Sequence, residues 1–353
     1  MDSLIRVLVV DDSAFMRKMI TDLLEEDNRI QVVASARNGQ DALEKISQLD
    51  PDVVTLDIEM PIMNGLEALK LIMKTKPKPV IMVSSTTTVG AENTVLAMSY
   101  GAIEFIAKPS GPISLDLRNV QTELIEKVII CANVKLSKLF QTQQQKTLRL
   151  SKLSLKQKQP IELLEKKIVA IGTSTGGPKA LTQVLTKLSE GLNAPILIVQ
   201  HMPAGFTKSL AARINSLSKI RVKEAEDGEI IKKGVAYIAP GGYHLKVRSI
   251  GTSVAIQLDQ SPPENGHRPA VDTMFSSLAS IRDHSIITVI MTGMGSDGTK
   301  GLLKLKKNKG VVAIVESEES AVVFGMPRAA IKTNKVDEVV HLDEIASAIE
   351  RYC

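Results

Sequence analysis

A serine, a histidine and an aspartate in the second half of this 353-residue chain have the residue types of a hydrolytic relay. Ser174 lies in Gly172-Thr-Ser174-Thr-Gly176-Gly177, directly after the apolar run 168–171. The spacing is Gly-x-Ser-x-Gly, in which glycines allow the tight strand-to-helix turn that lifts a serine oxygen into the open. The backbone N–H of Thr175 and the following helix start would then face an incipient oxyanion. Pro178 stands where a P-loop needs lysine, and Ser174 takes the place of the second glycine of a dinucleotide fingerprint, so neither phosphate-binding motif applies. By itself the pattern also fits a plain tight turn. A serine hydroxyl is a weak nucleophile near neutral pH and needs a base, itself held by an acid. His201, in Gln200-His201-Met202-Pro203, follows the apolar run 196–199, and Asp297 lies just beyond the run 286–291. His267, in Gly-His267-Arg268-Pro, is the strongest rival for the base, and its loop is a candidate pocket wall. His244, His284 and His341 read as surface or capping groups.

A second group occupies the first half. Asp11 and Asp12 follow the apolar run 5–10, Asp57 follows 53–56, Ser84 and Ser85 follow 80–83, and Lys108-Pro109 follow 104–106. Clustered carboxylates suit a hard divalent cation such as Mg²⁺, which is held by few protein oxygens. An aspartate pair after a strand also reads as turn or helix-cap chemistry. Four such elements at successive strand ends do not.

Both groups need strand-end loops brought to one edge of a parallel sheet. In the first half Ile5–Val10, Gln31–Ala36, Val53–Leu56, Val80–Val83 and Glu104–Ile106 read as buried strands, separated by amphipathic stretches such as Ala14–Glu26. Five strands with intervening helices predict one doubly wound, flavodoxin-like α/β domain over residues 1–133. Residues 134–166 are rich in Gln and Lys with weak apolar periodicity and read as a basic linker. Residues 167–353 predict a second doubly wound, Rossmann-like α/β domain with strands at 168–171, 196–199, 236–238, 253–258, 286–291 and 311–315.

The first half resembles the receiver domain of two-component response regulators, on Val-Val-Asp11-Asp12-Ser, Leu-Asp57-Ile-Glu59-Met-Pro61, Val-Ser84-Ser and Ile-Ala-Lys108-Pro109. The resemblance implies that Asp57 is the phosphoacceptor, charged by a histidine kinase. It implies that Asp12, Asp57 and the Glu59 carbonyl hold Mg²⁺ with help from Asp11, and that Lys108 offsets phosphoryl charge. Ser84 would then bond the phosphate, with Phe105 the aromatic that follows; core packing accounts for Phe105 equally well. The second half resembles the chemotaxis family that joins such a receiver to a protein-glutamate methylesterase. The matching blocks are Gly-Thr-Ser174-Thr-Gly-Gly, Gln-His201-Met-Pro-Ala-Gly-Phe, Ala-Pro240-Gly-Gly-Tyr-His, His267-Arg-Pro-Ala-Val-Asp and Met-Thr-Gly-Met294-Gly-Ser-Asp297-Gly. This implies a phosphorylation-activated enzyme that hydrolyses glutamate methyl esters on methyl-accepting chemoreceptors and deamidates selected glutamines. Ser174 is then the nucleophile, His201 the base and later acid, and Asp297 its orienting partner, with Thr175 and Met294 nearest the oxyanion and no metal in this half. Two departures are Thr173, where the family often has alanine, and the long linker.

Composition is compatible with that reading and excludes others. No run approaches the roughly 18 apolar residues of a membrane helix, and the N-terminus lacks a signal-peptide pattern. With two distant cysteines, a disulfide framework is not available. A cytoplasmic protein without membrane insertion is expected. The formal charge of +5 is uneven: residues 1–133 hold 19 acidic against 13 basic side chains, net −6. Ten aromatics, no tryptophan and no helix-turn-helix argue against nucleic-acid binding. The competing reading is a receiver-controlled serine hydrolase acting on another ester or a peptide.

Overall fold

The computed structural model describes residues 4–85, 87–108, 115–134, 136 and 163–353. Most of the expected linker, and Pro109, lie outside these residues. The chain forms two compact units, each organised by a parallel sheet.

In the first unit, strands β1 (Ile5–Val10), β2 (Ile30–Ala36), β3 (Val53–Asp57), β4 (Val80–Ser84) and β5 (Glu104–Ala107) lie in the order β2-β1-β3-β4-β5. Every pairing is parallel. Val7–Val10, Val53, Val54, Leu56 and Val80–Val83 are all buried, which is why these strands read as unbroken apolar runs instead of alternating ones. Four helices cross between them, α1 (Ala14–Glu25), α2 (Gly39–Leu49), α3 (Gly65–Thr75) and α4 (Thr88–Tyr100), and α5 (Leu115–Ala132) follows β5. Four helix starts are set by local chemistry. The side chains of Ser13, Asn38, Asn64 and Thr87 each accept a backbone N–H of the first turn, and Asn64 with Glu67 completes a capping box. Each cap therefore limits how far a strand-end loop can wander before its helix begins.

The second unit contains a seven-stranded sheet and a separate hairpin. The sheet consists of β6 (Lys167–Thr173), β7 (Ile196–Gln200), β8 (Arg221–Glu224), β9 (Val235–Ile238), β12 (Ser285–Ile290), β13 (Val311–Glu316) and β14 (Glu338–Val340). Its order is β14-β13-β12-β6-β7-β9-β8, with every pairing parallel. The chain starts in the middle at β6, builds outward through β7, and later resumes on the other side with β12. Strand order therefore reverses at β6, the place where open α/β sheets form their ligand crevice. In chain order the further helices are α6 (Gly177–Leu185), α7 (Phe206–Asn215), α8 (Val271–Leu278), α9 (Thr299–Leu305), α10 (Met326–Lys332) and α11 (Leu342–Tyr352), all but α7 completing the second unit.

The strand expected at 253–258 exists but is not part of that sheet. It is β11 (Ser253–Asp259), paired antiparallel with β10 (His244–Ile250). Ile250 faces Ser253 across the turn, leaving a two-residue connection that opens on Gly251 at φ +58°. The partner strand escaped the sequence reading because Lys246 and Arg248 interrupt Leu245 and Val247, a period-two pattern with one buried face. Leu245, Val247, Val254 and Ile256 join the core of the unit.

A tight packing point joins the first sheet to its loops. A Cβ at Gly65 would lie 2.0 Å from the carbonyl oxygen of Asp57. Gly65→Ala is therefore expected to cost about 1–3 kcal/mol through forced displacement of the β3–α3 loop. Thermal unfolding of the full chain checks this, and an unchanged melting temperature would contradict it.

Candidate functional site

The two expected groups of residues are each assembled at the carboxyl edge of a sheet. In the second unit β12, β6 and β7 are neighbours, so the loops after them open side by side. Thr173 is in register with Gln200, and the next residues along the two strands are Ser174 and His201. Backbone bonds continue past the strand ends: His201 N–H donates to Thr173 O at 3.2 Å, and Ser174 N–H to Thr292 O at 3.0 Å. The Ser174 loop then turns through Gly176 at φ +76° into α6. Gly177 N–H donates to Ser174 O at 2.7 Å. A Cβ at Gly293 would lie 2.8 Å from the Ser174 Cβ and 2.4 Å from the Met326 sulfur, so only glycine fits beside the serine.

His201 and Asp297 meet directly, with Nε2 2.8 Å from Oδ2. Both side chains are buried. Asp297 also accepts backbone N–H groups from Val271 (2.7 Å, Oδ2), Asp272 (2.8 Å, Oδ1) and Gly298 (2.9 Å, Oδ1). Burial works to push its carboxyl up, but the hydrogen bond and charge of His201, with the N–H groups of Asp272 and Val271, hold it below the ordinary carboxylate range. It is thus a fixed anion whose lone pairs are all directed. The other ring nitrogen of His201, Nδ1, is buried without a hydrogen-bond partner. With Nε2 engaged by Asp297, Nδ1 is the atom left for exchange with a serine proton. Ser174 is half-buried, and among the described residues no hydrogen bond joins its hydroxyl to His201. Such contacts often tighten only when substrate is bound.

His267 is brought to the same place, its exposed ring stacked on that of His201 with centroids 3.8 Å apart and planes at 17°. Thr175 is buried, its carbonyl accepting the Thr292 hydroxyl at 2.8 Å, and Met294 is exposed on the loop after β12. Of the other histidines, His341 caps α11 as expected. His244 is a correction: it is buried at the start of β10, where its Nε2 meets Pro262 O at 3.1 Å. The sequence reading also missed Gln200. Its buried amide donates to both Ser174 O and His201 O at 3.1 Å, tying the two loops together. A polar residue ending an otherwise apolar buried run was the available signal.

The first unit's pocket encloses about 260 Å³ and is lined by Asp12, Asp57, Ile58, Glu59, Ser84, Ser85, Gly90 and Lys108. Asp11, Asp12 and Asp57 each offer an oxygen within 4.8 Å of the others. Lys108 Nζ lies 2.9 Å from Asp57 and 3.0 Å from Asp11. Burial alone would push the Lys108 ammonium down, but the two carboxylates raise it above its ordinary value, so it stays charged. Asp57 is buried, and this, with the charge of Asp11, pushes its carboxyl up to about 6 against the opposing pull of Lys108. Asp57 Oδ2 has no hydrogen-bond partner, and Asp11 Oδ2 has only the Lys108 ammonium. Three clustered carboxylates around one ammonium, with Asp57 Oδ2 unsatisfied, form a donor set that suits a small divalent cation. Ser84 hydroxyl donates to Gly90 O (3.1 Å) and Ser85 O (3.2 Å), into its own loop. Phe105 sits in β5 opposite Met82, with Lys127 5.2 Å over its ring.

These features define a class: an acidic, lysine-bearing pocket at the strand ends of one parallel sheet, joined in one chain to a second α/β unit with serine, histidine and aspartate at the switch point of its strands. The chain belongs to the CheB methylesterase family, whose model matches residues 169–349, and a response regulator receiver domain model matches residues 7–118. A relative in Halalkalibacterium halodurans, named protein-glutamate methylesterase/protein-glutamine glutaminase, is 59% identical over all of this chain and 99% of its own length. A Bacillus subtilis relative of the same name is 48% identical over 98% of both. The crystal structure of the Thermotoga maritima CheB methylesterase catalytic domain is 46% identical, covers 54% of this chain and all of its own, and superposes with a TM-score of 0.52.

The raised pKa of Asp57 has a stability consequence. The folded state binds a proton more tightly there than the unfolded chain does, so the stability gained by protonation is fully present below the ordinary value of 3.8 and is lost progressively until pH has risen through about 6. Asp57→Asn, measured with chelator present, should therefore raise the melting temperature at pH 8 and have much less effect at about pH 4. Equal effects at the two pH values would contradict this account.

Proposed function

We propose that the chain is a phosphorylation-activated hydrolase that removes methyl groups from glutamate methyl esters of chemoreceptors and deamidates selected receptor glutamines. The observation that carries this reading is the His201–Asp297 pair at 2.8 Å, its carboxylate locked by backbone donors at the edge where Ser174 sits. Ser174 Oγ attacks the ester carbonyl while His201 Nδ1 takes its proton; Asp297 stabilises the imidazolium through Nε2. Backbone N–H groups at Thr175 and Met294 are assigned to the oxyanion. The C–O bond to the methyl group's oxygen then breaks, and methanol leaves with the proton from His201. Water, deprotonated by the same imidazole, releases the glutamate carboxylate and restores the serine. An amide follows the same course with ammonia as leaving group.

In the receiver, residues 1–133 in this reading, Asp57 is the phosphoacceptor and a histidine kinase the donor. Asp11, Asp12, Asp57 and the Glu59 carbonyl would hold Mg²⁺, which supplies charge neutralisation when bound. Lys108 stabilises the added phosphoryl charge, and Ser84 must leave Gly90 O and Ser85 O to bond it, the local change that moves the α4 start and Phe105. Residues 134–166 link this switch to the hydrolase of residues 167–353. Free Cys131 and Cys353 fit a reducing cytoplasm. Among the described residues no helix is long and apolar enough to cross a membrane.

Methanol release from methylated receptor tests the assignment. Ser174→Ala should lose at least about 10³-fold in turnover, and full activity in the variant would overturn it. A small phosphodonor should accelerate the wild type and leave Asp57→Asn unchanged. Acceleration of Asp57→Asn would remove the phosphoacceptor role.

A further inference from the structure

We infer that Asp272 is a positioning residue for the hydrolytic centre, clamping the Asn265–His267 loop and the Asp297 carboxylate into one frame around His201. The inference rests on the hydrolase reading above and adds a fourth side chain to it. Asp272 is 1% exposed. Among the described residues no cation forms an ion pair with it, an expensive arrangement for a carboxylate unless specific donors hold it. Its position at the start of α8 gives it two faces. Through its backbone N–H it donates to Asp297 Oδ1 at 2.8 Å. Through its side chain it accepts Gly301 N–H at 2.7 Å on Oδ1 and reaches the Asn265 amide at 3.4 Å from Oδ2. The approach of α9 is possible because residue 301 lacks a Cβ, which would lie 3.0 Å from Asp272 O and 2.5 Å from the Phe275 Cβ.

Asn265 occupies the left-handed region at φ +52° in a turn closed by reciprocal Glu264–His267 backbone bonds at 3.0 Å. His267 leaves that turn to stack on His201. The Asp272 carboxylate therefore supports both things that fix the His201 ring: the anion at its Nε2 and the imidazole against its face. The charged groups around it are Asp297 after β12, Glu264 in the turn and Lys300 on α9, whose Nζ is 3.5 Å from Asn265 Oδ1. Burial, reinforced by the charges of Asp297 and Glu264, pushes the Asp272 carboxyl up to about 6 against the Gly301 N–H and Lys300. It protonates as pH falls through that value, weakening its acceptance from Gly301 and Asn265.

The test is methanol release by the full-length chain as a function of pH, in wild type, Asp272→Asn, Asn265→Ala and the exchanged pair Asp272→Asn with Asn265→Asp. Asp272→Asn sets two amide N–H₂ groups against each other at the turn. Its kcat should fall roughly tenfold to a hundredfold with KM little changed, and its acid limb should need one proton fewer than the wild type's. Exposed Asn265→Ala should still fold, with a small loss of melting temperature from alanine in the left-handed region, and lose kcat in the same sense, which keeps the test decisive if Asp272→Asn is unstable. The exchanged pair restores a donor opposite an acceptor and should recover kcat to within about threefold at neutral pH. Wild-type kcat and an unchanged acid limb in Asp272→Asn, or wild-type kcat in Asn265→Ala, would overturn the inference. Loss of Ser174 dependence in the wild type would instead overturn the hydrolase reading on which it stands.

Discussion

A carboxylate removed from water must be surrounded by donors, and Asp297 shows how much structure that requirement recruits. Its oxygens take three backbone N–H groups and one imidazole. Two of those N–H groups belong to the start of α8, so the helix that covers the end of β6 also holds the anion. The close contact of Val271 with Gly172, where a Cβ would lie 2.4 Å from the valine, shows how tightly helix and strand end are joined. Moving the aspartate would therefore require moving the helix, the strand end and the serine turn together. Preorganisation of this kind places the electrostatic cost of holding the site in folding instead of in each turnover.

The receiver pocket meets the same requirement in the opposite way. Asp57 and Asp11 share one ammonium and leave Asp57 Oδ2 unsatisfied, so the site is held short of full compensation. On the proposed reading, a pocket that accepts a cation and then a phosphoryl group leaves coordination unfilled, whereas one that steadies an imidazole does not. Two buried aspartates at strand ends thus end with opposite shifts: Asp57 is raised and Asp297 is lowered.

Much of this was legible in the sequence where physics acts locally. Buried parallel strands have to be apolar on both faces, so β1, β3, β4, β6, β7 and β12 announce themselves, and the chemistry-bearing residues follow directly after them. What stayed hidden depends on pairing. β10 alternates polar and apolar residues and becomes a strand only through β11, and β8 is a four-residue edge strand with too short a pattern to stand out. Which nitrogen of His201 faces Asp297 is a matter of ring orientation, not composition. Asp272 and Gln200 looked like ordinary polar residues beside named neighbours; only the meeting of α8 with α9, and of the β6 and β7 loops, gives them partners.

Glycine crowds one wall of the hydrolytic mouth. Gly293 presses on Ser174, and a Cβ at Gly325 would meet the Gly293 carbonyl at 2.7 Å and the Met294 Cα at 3.0 Å. That wall has no room to acquire side chains without displacing the serine. On the proposed reading, any drift in which ester is preferred must then be written elsewhere on the rim, at side chains that hold neither Ser174 nor His201. The crowded wall holds Ser174 in one geometry and leaves change to the rest of the rim.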